Sequence, residues 1–424
     1  MDAFNSTVNS ILLSLGGPIL VTIVMFILSI CFGAGFKKSL RGGLYAGIGL
    51  AGLFVITDAA TAALTPAIQA LAVIMGKSQP VMDTGWANAG LAFSWPGAAF
   101  TIIGVIAVNL VLIMFRLVKT MWTDMWSYWH GQVVGCFVWA MTDNLLIGIL
   151  AAVIFLTINS FIADFSAKRY QEFNGMPGIS VPCTVSVLAL FARPFNAFIE
   201  AIPGLNKIDA SPEAIKDKIG VFAEQGVMGA IIGFVIGCVV WIFGDGTPAG
   251  ALQLGVQVGV LMVFLPKTVS VLCEGVIPIT NAVIEFVHEK FGDKRQIYVA
   301  VDCAALLGHP SVMASAVILY PLMVILSVLL PGNGILPIAS LAIVPYWCGA
   351  VAPYLKGNVF RIVLFTLVWM IPVTYFATMQ APIHTAAMAK MGFGDPAVLN
   401  SCWDVGGDPL GVVIVQGFKA LFGY

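Results

Sequence analysis

The chain has 424 residues, 59% of them hydrophobic and only 10% charged, with a formal net charge of −1 and a mean hydropathy of +0.98. Most of it cannot face water, so it is a polytopic membrane protein, and with no basic face to neutralise phosphates it is not a nucleic-acid binder. Eight cysteines stand without a Cys-x-x-Cys pair or a His-Cys ligand spacing, so neither a metal nor a disulfide framework is expected.

The first residues lack the basic start and cleavage site of a signal peptide, so the apolar run 10–32 is expected to remain as a span. It ends at Lys37, Lys38 and Arg41, which mark an inner loop and put the N-terminus outside. A second run, 44–64, returns outward and contains Asp58. Then Val81-Met82-Asp83-Thr84-Gly85-Trp86-Ala87-Asn88 brings polar groups into apolar sequence. The run 97–115 crosses inward to Arg116 and Lys119, and Trp122, Trp126 and Trp129 share one helical face, which reads as an interfacial helix. His130 and Gln132 open the approach to a crossing at 145–165, with Lys168 and Arg169 placed outside. A fifth crossing, 177–202, is interrupted by Pro182-Cys183-Thr184.

The connection 205–220 is the most polar in the chain, and Ser211-Pro212 predicts a short helix in an inner loop. Further crossings are expected at 226–243, 249–264, 313–330, 335–354 and 362–378, with an amphipathic stretch at 269–296. Inner loops on this scheme hold fourteen basic residues and outer loops four, namely Lys77, Lys168, Arg169 and Lys390. The fold class is therefore an all-α polytopic membrane protein with two inverted repeats of about five transmembrane helices and re-entrant or broken segments. The boundaries follow: a first repeat at 1–204, a cytoplasmic linker at 205–225, a second repeat at 226–380 and a re-entrant or terminal segment at 381–424.

The second polar intrusion, Val301-Asp302-Cys303 through Leu307-Gly308-His309-Pro310, lies about half the chain from the first, and paired interruptions point to a transporter binding site. An ionised carboxylate near the bilayer centre costs at least ~2.5 kcal/mol, so Asp302 should face a cavity, a partner or a substrate. At the membrane edge it would instead cap a half-helix beginning near Ala304. Asp83 and Thr84 could bind a hydroxyl or cap the helix that follows, and Asp58 could be a solvated terminus. His130 could equally be a packed interfacial residue, and His309 could be buried against a freed carbonyl. No Gly-x-Ser-x-Gly or His-Glu-x-x-His motif is present, so no independent catalytic centre and no cofactor are expected.

Several stretches together resemble the galactitol-type enzyme IIC of the sugar phosphotransferase system, in the ascorbate–galactitol superfamily. They are Gly42-Gly43-Leu44-Tyr45-Ala46-Gly47, Trp129-His130, Ile202-Pro203-Gly204, Leu306-Leu307-Gly308-His309, Leu330-Pro331-Gly332-Asn333-Gly334 and Asp404 ahead of Gly406-Gly407. The resemblance implies a homodimeric carrier in the bacterial inner membrane, taking a polyol such as galactitol inward for phosphorylation by a separate enzyme IIB, itself served by enzyme IIA. It implies substrate contacts at His130, Asp302 and Asp83, the last with Trp86 beside it. Where relatives carry a histidine after Ile-Pro, this chain has Pro182-Cys183-Thr184, so Thr184 joins the candidates while one hydrogen-bonding group is lost. His309 and Asp58 complete the set. An ion-coupled carrier using Asp58 or Asp302, and a docking platform recruiting a partner through 205–220, are the alternatives.

Overall fold

The computed structural model describes residues 18–423 apart from 20, 21, 24, 28, 75–79, 86, 87, 89, 90, 93, 94, 125, 126, 209, 211–223, 292–295, 338 and 393–395. The polar loop helix expected at Ser211, together with Trp86 and Trp126, lies outside the described residues. In chain order the main elements are α1 (Phe36–Ile74), β1 (Val81–Asp83), α2 (Ala98–Met114), β2 (Thr120–Met121), α3 (Tyr128–Thr142) and α4 (Leu145–Asn174). They continue as β3 (Ile179–Ser180), α5 (Leu188–Ala201), α6 (Gln225–Phe243), α7 (Pro248–Phe291), β4 (Tyr298–Ala300) and α8 (Pro310–Leu329). The last are α9 (Val344–Val351), α10 (Val359–Lys390), β5 (Leu399–Ser401) and α11 (Pro409–Phe422), with 3-10 turns at Thr184–Val187, Cys303–Gly308 and Ala339–Ile343 among the connections.

Helix dominates because backbone polar groups in a bilayer must be satisfied within their own segment. α4 and α10 are long and apolar enough to cross a membrane, and α8 makes a third span if its 42° bend at Pro321 is counted within one crossing. α4 and α10 each start on a side chain that occupies orphan N–H groups: Asn144 accepts from Leu146 and Ile147, and Asn358 accepts from Arg361. α4 ends at Gly175, whose φ of 66° closes the helix as no β-carbon-bearing residue does cheaply.

α4 provides a ruler across the molecule, since its 30 residues rise about 45 Å. Near its Asn174 end gather Lys119, whose N–H donates to Asp164, and Tyr354, over which Arg169 stacks at 5.2 Å. His309 packs on Phe173 there at 4.2 Å, and Glu200 pairs with Lys356 and Arg361. At the opposite end Lys390 pairs with Asp143.

This geometry corrects three sequence expectations. Arg169 cannot lie across the bilayer from Lys356 while stacking on Tyr354, so Lys168 and Arg169 share a face with the loops read as inner. The misplacement began at the tryptophans. Trp122 follows β2 in extended chain and donates to Ser160, while Trp129 begins α3, and both are buried, so they form no interfacial helix face. Residues 177–202 fail to cross: the N–H of Met176 bonds back to Gln171, and Glu200 at the far end meets Lys356, so chain entry and exit lie at one end. Pro182, which lacks an N–H, and the turn after it cut the run to half a span.

A second block is built from α1, α6 and α7. The expected crossing at 249–264 and amphipathic stretch at 269–296 are one continuous helix of 44 residues, held through Pro266 and Pro278 by packing against α1 and α6. Gly275 lies directly against Ala46 and the carbonyl of Gly42, so the glycine-rich start of α1 serves close backbone approach.

Candidate functional site

The five short strands form two parallel groups that point at one another. β2, β4 and β3 pair side by side, with Thr120 opposite Tyr298 and Ser180 opposite Ala300, and run inward from the Asn174 end. β1 and β5 pair with Val81 opposite Leu399 and Asp83 opposite Ser401, and run inward from the Lys390 end. Val81 also bridges to Ile335. Such extended backbone survives at membrane depth only where protein or a cavity surrounds it. The strands' C-terminal ends therefore bring Asp124, Thr184 and Asp302 from one side toward Asp404 and Asp408 from the other.

His130, in the first turn of α3, joins the two groups. Its Nε2 lies 3.0 Å from Asp404 Oδ1, and both side chains are buried. His130 Nδ1 and Asp404 Oδ2 make no hydrogen bond to the protein. Asp302 spends one oxygen as a cap, accepting the Ala304 N–H at 2.7 Å, while its buried Oδ2 has no partner. It lies within electrostatic reach of Asp124, His130 and Asp404. Asp408 caps α11 by accepting the Gly411 N–H at 2.8 Å, and Asp124 accepts from Ser127. Between Asp404, Asp408 and Thr184 lies a cavity of about 10 Å³, walled by Trp347, Trp369 and Trp403, with Trp347 and Trp403 stacked at 5.6 Å. That volume holds about one water. The chemistry assembled is that of hydroxyl recognition: carboxylates accept, an imidazole donates or accepts, and indole faces cover carbon–hydrogen surface.

The sequence profile of the phosphotransferase-system sugar-specific permease components (EIIC-GAT) matches residues 11–396. The chain belongs to this family. A putative permease IIC component of Escherichia coli strain K12 is 30% identical over 385 residues, covering 90% of this chain and 87% of that protein. The galactitol-specific EIIC component of the same strain is 28% identical over 417 residues, covering 98% of this chain and 91% of its own. The chain is thus a membrane permease subunit of a sugar phosphotransferase system, and EIIC components of this kind work with IIB and IIA proteins.

Within this EIIC the structure divides the candidate residues. Asp302, His130 and Thr184 come together at the centre. Asp83 does not join them with a free group: it accepts from the N–H of Gly85 at 3.1 Å and from both the N–H and hydroxyl of Ser340, at 2.7 and 2.6 Å. Thr84 donates to the Ser401 carbonyl and accepts from Asn88, which in turn meets His384 at 2.6 Å. His309 caps α8, with Nδ1 2.8 Å from the Ser311 hydroxyl, at the Asn174 end. Asp58 lies on α1 with its side chain outside the described residues.

Asp404, Asp408 and Asp124 were not among the candidates from sequence. A signal existed for Asp408: Asp408-Pro409 repeats the cap-then-proline start of His309-Pro310. Asp404 carried no such mark, because its partner His130 is 274 positions away.

Proposed function

We propose that this EIIC carries galactitol or a closely related polyol into the bacterial cell, across the inner membrane, for phosphorylation by a separate IIB protein. Hydroxyls of the linear substrate take the unpaired Asp302, Asp404 and His130 positions, with the stacked tryptophans on its carbon chain. The observation that carries this reading is the convergence of two opposed strand groups on buried polar atoms that the protein itself leaves unsatisfied. Their opposite directions also support two inverted repeats related through the membrane plane.

The Asn174 end faces the cytoplasm on this reading, with the N-terminus outside. With Lys168 and Arg169 on that end, only Lys77 and Lys390 of the basic residues counted in loops stand against it. Phe32 packs on Phe286 at 5.2 Å, close to the chain's approach to β4, which brings the Lys37, Lys38 and Arg41 cluster to the same face. Two copies of the chain assemble as a homodimer, as the resemblance to galactitol-type carriers implies.

Calorimetric binding of a polyol panel to the purified full-length protein tests the assignment. Galactitol should bind, Asp302→Asn should abolish its binding, and phosphorylation should require added IIB and IIA. A folded protein that binds no polyol, or that accumulates polyol without IIB, sinks the proposal.

A further inference from the structure

Four buried or nearly buried carboxylates, Asp124, Asp302, Asp404 and Asp408, surround the centre, with His130 the sole basic side chain among them. Among the described residues the one buried lysine or arginine is Arg361, and it serves Glu200 near the Asn174 end. A second, uncharged group marks the same spot as a binding place. The indole N–H of Trp403, which is only 1% exposed, has no acceptor in the protein, and Trp403 lines the cavity between Asp404 and Asp408. Buried donors are normally paired, so an unpaired one in a cavity wall points to a ligand oxygen.

We infer that the centre selects its ligand by charge: it accepts neutral and ammonium-bearing polyols and rejects carboxylate-bearing ones. The inference rests on the polyol reading above and deepens it. Sites in which a carboxylate substrate is held supply a guanidinium, an ammonium or a helix N-terminus to meet it. Of the helix starts at the cavity, that of α11 is already occupied by Asp408, and the uncapped one before α5 is a single 3-10 turn, Thr184–Val187. An anionic ligand would meet an acidic lining offset by one imidazole, in a medium that screens poorly.

The same charge balance has a consequence for turnover. Phosphorylation forms an O–P bond at a substrate hydroxyl and breaks the bond to the phosphate carrier of IIB, which leaves with the hydroxyl's proton, and the product is an ester of about −1.5 to −2 charge. The carboxylates that admit the neutral polyol then repel its product, so release inward follows from the chemistry that made the product. Return of the ester is disfavoured for the same reason.

The test compares three ligands of one carbon skeleton on the purified full-length protein: galactitol, 1-amino-1-deoxygalactitol and galactonate. The amine should bind about tenfold or more tighter than galactitol and galactonate about tenfold or more weaker, the scale of one modest ion pair gained or lost. Asp404→Asn and Asp408→Asn should each narrow the gap between amine and acid. Asparagine serves as a helix cap and hydrogen-bonds histidine, so both variants keep the local structure. Equal binding of galactonate and galactitol, or an unchanged gap in both variants, overturns charge selection while leaving the polyol reading standing. Failure of all three ligands on a protein that still melts cooperatively removes the polyol reading and this inference with it.

Discussion

The segments around Asp83 and Asp302 look like twins in sequence and behave as opposites in the fold. Each is a short strand running inward from one end of the molecule, with its aspartate at or just past the strand's end. Asp83 is consumed by Gly85 and Ser340, so it fastens the first half of the chain to the second. Asp302 keeps one buried oxygen uncommitted. A carboxylate in apolar sequence is therefore either a fastener or a receptor, and the difference lies in what the other half of the chain brings to it. Ser340 meets Asp83, whereas Asp302 lies toward His130 and Asp404.

The comparison breaks most sharply at Asp83. Asp83→Ala leaves the Ser340 and Gly85 N–H groups without their acceptor, at about 1–3 kcal/mol for each one buried. Thermal unfolding of purified protein should show the variant destabilised by about 2–5 kcal/mol, with little folded protein reaching the membrane. Asp302→Asn should do the reverse, abolishing uptake while shifting stability by less than about 1.5 kcal/mol, because asparagine keeps the cap to Ala304. If Asp83→Ala transports normally and Asp302→Asn unfolds, the roles assigned to the two segments are exchanged.

The next contrast concerns the two ends of α4. Cysteines placed at Lys168 and Lys356 should react with an impermeant maleimide from the same side of sealed vesicles, and one at Lys390 from the other. Labelling of Lys168→Cys and Lys356→Cys from opposite sides would restore 177–202 as a crossing.

Smaller effects are expected where charges face water. Hydrogen bonds from Lys356 and then Arg361 hold the Glu200 carboxyl down to about 2, from an ordinary 4.5. A depressed carboxylate contributes stability that is fully present above its unfolded pKa and is lost as pH falls toward the folded one. Glu200→Gln should therefore be less stable than the natural protein above about pH 5, with the gap closing between 4.5 and about 2. The gap should be modest, since Glu200 is partly exposed, and high salt should shrink it. Lys390→Ala should cost least, below about 1 kcal/mol, because its partner Asp143 is 84% exposed.

Which parts of this were legible in the sequence follows from what hydropathy measures. It records the length of an apolar run and where polar groups interrupt it, so Asp302, His130 and the break at Pro182 stood out. It does not record direction. The run 177–202 is long enough to cross, and only the contact between Glu200 and Lys356 shows that it turns back. Once that turn was missed, Lys168 and Arg169 were separated from Lys356, whose face they share. Asp404 was noticed as part of a motif but not as a partner, because nothing local to Val405-Gly406-Gly407 names a histidine in α3.

The pairing of the first strand with the last also bears on how the chain is made. Thr84 bonds to the Ser401 carbonyl 317 positions later, and His130 waits 274 positions for Asp404. During synthesis, then, β1 has no β5 to pair with and the imidazole has no carboxylate until the final hairpin emerges. A ribosome that stops before residue 399 leaves a full set of long helices in the bilayer and an open strand edge at its centre. Such a product keeps the long helices of the finished carrier and lacks the strand that β1 pairs with.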